Sequence, residues 1–290
     1  MANLSRPQIL KAIDRAFRCR LKAGYEAIEP ICVFDLAAKL KVEVRFVAGN
    51  SFGGMYAKDF EKILIPTKRP PGRQAFTCAH ELGHWAFGHG TRVEDIDELD
   101  KGGSDDPDER MANVFASHLL MPEWAVEDAF RRRSLVPAQC GVMESYRIAN
   151  QLGIGYETLV QHLRYGMKLI KDEQAERLLK ATPKEIRANV LGTSDPRHLV
   201  IADQYWWRVP IDLTVGDALI LPVNFQAEGQ ALRQIGMTFH GTWFEAVRPG
   251  YGRVLADDLG WSSFVRVARN DYVGRSKYRF LEDPDVDELS

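Results

Sequence analysis

The stretch Phe76-Thr-Cys-Ala-His80-Glu81-Leu-Gly-His84-Trp-Ala-Phe-Gly-His89 carries two histidines four residues apart, with a glutamate directly after the first. In an α-helix, positions i and i+4 lie one above the other on one face, so both imidazoles reach a single ion. Zn²⁺ takes such nitrogens at about 2.0–2.1 Å in tetrahedral geometry. Glu81 is then placed as a general base toward a water at the same centre. Gly83 costs a helix interior about 1 kcal/mol relative to Ala, which predicts the close approach of a neighbouring element there. Cys78 falls on nearly the opposite side of the helix from His80 and reads as a packing residue.

A hydrolytic zinc site takes three protein ligands and keeps one position open, so the two histidines need a third partner. Downstream, Asp106 or Asp108 with Pro107 starts a strong helical pattern from Glu109 to Leu120, stopped by Met121-Pro122. Ala112, Phe115, Ala116 and Leu119 recur on the face that must pack on the core, and that packing aims Glu109 at the HELGH helix. By itself Glu109 is equally an acidic first-turn residue favoured by the helix dipole, worth about 0.3–1 kcal/mol. With the paired histidines upstream, it is the candidate third metal ligand.

Around this set lie further candidates. Asn113, one turn after Glu109, is placed to hydrogen-bond a ligating histidine, beside a reading in which it simply satisfies the core. Tyr56, His118 and His89 are candidates for stabilising the transition state, each beside a structural reading. Lys62-Ile63-Leu64-Ile65-Pro66 reads as a short strand stopped by proline. Ile63, Leu64 and Ile65 are expected at the sheet edge, holding an extended substrate by main-chain hydrogen bonds.

Upstream, residues 5 to 23 and Val33 to Leu40 have apolar positions at helical spacing, and Val42 to Val47 alternates as a strand. Gly53-Gly54 reads as a turn. The acidic segment Val93 to Asp108 is expected as an exposed connection. Further helical patterns cover about 123 to 133, 142 to 151, 155 to 171 and 173 to 189. From about Leu199 the texture changes to short alternating strands with Gly, Pro and Asn turns, so a boundary falls near Leu191-Gly-Thr-Ser-Asp-Pro196. The aromatic run Tyr205-Trp206-Trp207 reads as core of that β-rich part, beside a reading as a partner surface.

Phe76-Thr-Cys-Ala-His-Glu-Leu-Gly-His84, followed by Glu109-Arg-Met-Ala-Asn-Val-Phe-Ala-Ser-His-Leu-Leu-Met-Pro122, resembles the ImmA/IrrE family of zinc metallopeptidases. The resemblance covers roughly residues 5 to 170. It implies that His80, His84 and Glu109 bind one zinc and that Glu81 is the base. One departure is visible: Ala75 stands where members of the family often carry Arg, with Arg73 two positions earlier. The implied fold class is α+β, a compact zincin-like metallopeptidase domain with a helical extension over 1–195. A small β-rich accessory domain over 196–290 follows it. The implied activity is zinc-dependent endopeptidase, with a helix-turn-helix repressor as the implied protein substrate.

Composition sets the limits. The chain has 290 residues, 45% hydrophobic and 27% charged, enough for a substantial core and ordinary for a globular protein. With a net charge of −2 and a sequence pI near 6.4 there is no global basic field, so direct nucleic-acid binding is not expected. Arg131-Arg132-Arg133 reads as a solvated helix end. No leader or membrane-spanning run is legible and the four cysteines form no C-x-x-C pair, so the expected location is the cytoplasm. Two other classes stay open on these residues. One is a DNA-binding regulator using residues 145 to 190 with zinc purely structural; the other is a catalytically silent peptide-binding or antitoxin protein.

Overall fold

The computed structural model describes residues 4–49, 53–93, 106–194 and 197–281. The acidic stretch 94–105, expected as an exposed connection, lies outside the described residues. The first compact unit is Met1–Thr182 with Val273–Ser276, and the second is Pro183–Tyr272 with Lys277–Ser290. The expected contiguous division at 195/196 differs from this in two ways. The helix Pro183–Leu191 goes with the second unit, and a short strand beyond residue 270 belongs to the first.

The first unit runs α1 (Arg6–Lys22), α2 (Val33–Lys39), β1 (Glu43–Val47), β2 (Met55–Ala57), β3 (Lys62–Pro66), α3 (Pro71–Phe87), β4 (Arg92–Val93) and α4 (Pro107–Leu120). Four shorter helices follow: α5 (Glu123–Arg132), α6 (Val142–Gln151), α7 (Tyr156–Gln161) and α8 (Asp172–Leu179). The second unit holds α9 (Pro183–Leu191) and β5 (Leu199–Ile201), β6 (Ile211–Thr214), β7 (Ala218–Leu221), β8 (Gln226–Glu228), β9 (Leu232–Thr238), β10 (Gly241–Ala246), β11 (Gly250–Ala256) and β12 (Trp261–Ala268). The last strand, β13 (Gly274–Arg275), returns to the first unit. The architecture is α+β, a compact domain followed by a β-rich region, as the sequence reading expected.

The sheet of the first unit has the order β13-β1-β3-β2-β4. β1 and β3 are parallel, with Val44 opposite Ile63 and Phe46 opposite Ile65, and all four side chains are buried. The sequence expectation that Ile63, Leu64 and Ile65 form a substrate-holding edge is overturned by this order. β3 is paired with β1 along Lys62–Pro66 and with β2 over Lys62–Leu64, so it lies inside the sheet rather than at its edge. Among the described residues the two edges are instead β4 and β13, and Arg275 of β13 ion-pairs with Glu43 of β1 at 3.0 Å.

α3 starts with Pro71 at its first helical position and ends at Gly88, whose φ of 74° and ψ of 23° make a left-handed cap. α4 starts at Asp106, whose carboxylate accepts the Asp108 N–H at 2.9 Å. The two helices pack closely because Gly83 allows it. A Cβ there would lie 3.1 Å from Ala112 Cα and 3.2 Å from Phe115 Cδ1, which is the close approach expected from the mid-helix glycine. Gly72 does the same at the start of α3, where a Cβ would meet the Gly155 nitrogen at 2.5 Å.

α1 lies against α4 through a buried cation. Arg20 is 0% exposed and donates to the Leu119 carbonyl at 2.7 Å, the Glu26 carbonyl at 3.3 Å and the Glu29 carbonyl. Burial lowers its pKa to about 10, so it remains protonated at neutral pH and satisfies the Leu119 carbonyl near the C-terminus of α4. The long helical patterns at 155–171 and 173–189 are interrupted. α7 passes into a π-helical turn over His162–Gly166, and the stretch from 173 splits at Thr182-Pro183 because the residue before proline is pushed out of the helical region.

His162 sits in that π turn, 7% exposed, with Nε2–H donating to the Met121 carbonyl at 2.9 Å. Burial, then the neighbouring His118, push its pKa down from 6.5 to about 4. The folded value is depressed, so between these pH values the unfolded chain binds a proton that the folded one does not. Stability is therefore full above 6.5 and falls as pH drops. The linked loss from pH 7 to pH 5 is about 2 kcal/mol. His162→Gln keeps a donor but cannot titrate, and urea unfolding at the two pH values should show about that much less acid sensitivity than wild type. Equal sensitivity in both proteins would exclude His162 as the source.

In the second unit, two four-stranded sheets have the orders β5-β7-β10-β9 and β6-β12-β11-β8. Their buried residues include Val200, Leu219, Ile220, Leu221, Val254, Val265 and Val267. Trp206 is 3% exposed and its Nε1–H donates to the Val209 carbonyl at 2.8 Å, so of the aromatic run Trp206 supplies core, while Tyr205 and Trp207 are only half-buried.

Candidate metal centre

α3 and α4 cross with His80 and His84 on one and Glu109 on the other, and all three meet. His80 Nε2 lies 2.9 Å from His84 Nε2, 3.1 Å from Glu109 Oε2, and Glu109 Oε2 lies 3.4 Å from His84 Nε2. Both histidines are 1% exposed. The three residues form a group able to hold a metal ion. The distances test this directly. A tetrahedron with bonds of about 2.05 Å has edges of about 3.3 Å, close to all three sides of the triangle formed here.

The charge state suits a cation as well. Burial alone would raise the pKa of Glu109, but hydrogen bonds from His80 and His84 outweigh it and hold the carboxyl well below the ordinary range. Glu109 is thus anionic at neutral pH, facing two imidazole nitrogens. His80 Nδ1 lies 2.9 Å from Asn113 Oδ1, so the ring proton on Nδ1 leaves a lone pair on Nε2, pointing into the triangle. Asn113 stands where the helical spacing put it, four residues and one turn beyond Glu109.

Glu81 is 1% exposed on α3. A Cβ on Gly54, just before β2, would overlap Thr77 Cγ2 and come within 2.9 Å of Glu81 Oε1, so the Gly54 backbone runs directly over that carboxylate. The sequence reading treated Gly54 only as a turn. Its contact with Glu81 depends on a pairing across 27 positions of the chain that no local pattern reveals. Tyr56 lies two residues on and therefore shares Gly54's face of the sheet. Burial, then Glu61, raises its pKa, so the phenol is protonated at neutral pH.

The structure does not bring His118 to the group. Nine residues beyond Glu109 on one helix, it is about 13 Å further along the axis and half a rotation away. Its ring instead packs edge-on against His162 at a centroid distance of 5.2 Å, and burial lowers its pKa. The sequence expectation of a transition-state role for His118 is corrected accordingly. Among the described residues, no helix is long and apolar enough to cross a membrane.

Residues 31–164 match the family model described as Peptidase_M78, IrrE N-terminal-like domain. Comparison with curated proteins returns no match. Among solved structures, a Mycobacterium tuberculosis transcriptional regulator is similar at 17% identity with a TM-score of 0.36. That alignment covers 53% of this chain and 46% of the other, so the chain spans less than half the length of the structure it matches. The histidine pair, Glu81 and Glu109 all fall within the matched span, whereas α1 precedes it. Residues 31–164, just under half of this chain, are thus similar to the metallopeptidase-like domain of the Peptidase_M78 (IrrE N-terminal-like) family.

Proposed function

We propose that the protein is a zinc-dependent endopeptidase acting on a protein substrate, with His80, His84 and Glu109 as the metal ligands and Glu81 as the base. The observation that carries this reading is the triangle of two Nε2 atoms and one carboxylate oxygen, closed from two helices at zinc-ligand spacing. Three protein ligands among the described residues suit a catalytic centre, which keeps a position open, better than a closed structural one. When bound, zinc supplies Lewis acidity, acidifying water and polarising a carbonyl.

This chain's residues do the rest. Glu81 takes the water proton onto its carboxylate as the water oxygen bonds to the peptide carbon. It then passes that proton to the departing amine as the C–N bond breaks. Asn113 holds the His80 ring, and burial keeps bulk water from Glu81. The resemblance to the ImmA/IrrE family suggests a helix-turn-helix repressor as substrate and a cytoplasmic site of action.

The test is metal analysis of wild type beside His80→Ala, followed by incubation of each with candidate repressors. About one zinc per wild-type chain, lost in the variant together with cleavage, is expected. Wild type that takes up no zinc when offered it, or a variant that retains it, overturns the reading.

Gly54 gives a second handle on the same reading. Gly54→Ala forces the Glu81 carboxylate aside, and misplacement of a reacting group by about 1 Å costs on the order of a hundredfold. We expect kcat/KM to fall ten- to a hundredfold with zinc content unchanged. Unaltered turnover would remove the Glu81 carboxylate's position from the mechanism.

A further inference from the structure

We propose that His89 is a positioning residue for the metal centre: its Nδ1 accepts the hydrogen bond that fixes the ring of His84, and Asp108 in turn fixes His89. This rests on the reading of His84 as a metal ligand given above.

The end of α3 explains the placement. Gly88, in the left-handed region at φ 74°, donates its N–H to the Trp85 carbonyl at 3.1 Å, and His89 donates its backbone N–H to the His84 carbonyl at 3.0 Å. That pair of bonds turns the chain back over the last helical turn. The residue after the glycine then packs on the one five positions earlier, a place ordinarily filled by an apolar contact. Here both positions are histidines. Their rings meet edge-on at a centroid distance of 5.1 Å, with His84 Nδ1 2.9 Å from His89 Nδ1.

Two facing nitrogens form one hydrogen bond only if one carries the proton. A neutral His84 that presents the Nε2 lone pair to an ion must carry its proton on Nδ1, and is therefore the donor. His89 is then the acceptor, with its own proton on Nε2. That atom lies 3.4 Å from Asp108 Oδ1, a carboxylate that favours this tautomer. Asp108 directly precedes Glu109 in the first turn of α4, so adjacent acidic residues hold the two ends of one arrangement. Phe87 stacks on His89 at a centroid distance of 5.5 Å and limits its ring to this orientation.

The experiment separates hydrogen-bond acceptance from packing. His89→Asn places Oδ1 where Nδ1 was, keeping an acceptor with little ring packing. His89→Phe keeps the ring and removes the acceptor. Zinc dissociation constants are measured on the full chain by competition with a chelating dye, with the melting temperature of each zinc-free protein as a folding control. His89→Phe should bind zinc ten- to a hundredfold more weakly, while His89→Asn stays within about threefold of wild type. Unchanged affinity in His89→Phe, or equal loss in both variants, overturns the proposal while wild-type zinc binding leaves the peptidase reading intact. Wild type that binds no zinc defeats that reading instead, and this one with it.

Discussion

Glu81→Gln is expected to lower kcat/KM by 10²- to 10⁴-fold, the range that a positioned acid–base group contributes, while zinc affinity stays close to wild type. Glutamine has nearly the same shape and fills the same buried site beneath Gly54, so packing is preserved. What it lacks is a basic oxygen to take the water proton. The metal ligands are three other side chains, and none of their distances depends on the charge at position 81. The measurement pairs turnover of the protein substrate cut by wild type with zinc titration of the variant. Retention of more than a tenth of wild-type turnover would assign the base to another group. Loss of zinc together with turnover would make Glu81 a support of the metal site rather than the base.

Much of this site is legible in the sequence because its parts are local. His80 and His84 are bound to one face by helical geometry alone, and Pro71, Gly88, Asp106 and Pro107 mark where α3 and α4 begin or end. Glu109 was legible through the apolar face that must follow it, and Asn113 through the spacing of one turn. Gly83 announced the helix crossing by its cost.

The misreadings share a cause. A short apolar strand such as Ile63 to Ile65 has the same pattern whether it ends a sheet or lies within it, since the order β13-β1-β3-β2-β4 depends on chain segments more than 200 residues apart. β13 has only two residues, too few for any alternation to register. His118 and His89 are alike in the sequence as lone histidines. Helical rotation carries the first away to His162, while the left-handed glycine before the second folds it back onto His84. That glycine followed by histidine was the available signal.

Glu109→Gln separates the two roles that the sequence left open for this residue. As a metal ligand it supplies the site's negative charge. Structural zinc sites gain about 10–16 kcal/mol from four ligands, so one ligand is worth roughly 3–4 kcal/mol, or two to three orders of magnitude in affinity. At a free zinc concentration 100 times the wild-type dissociation constant, binding stabilises wild type by about 2.7 kcal/mol. A variant that binds a hundredfold more weakly gains only about 0.4 kcal/mol at the same concentration, and its zinc-dependent rise in melting temperature should nearly vanish. As a mere first-turn acid, Glu109 contributes about 0.3–1 kcal/mol through the helix dipole whether zinc is present or not. The zinc-free proteins therefore isolate the second role, and the added effect of zinc isolates the first. A variant that melts slightly earlier than wild type without metal, yet gains as much from zinc, would return Glu109 to the helix end and leave the two histidines without their third partner.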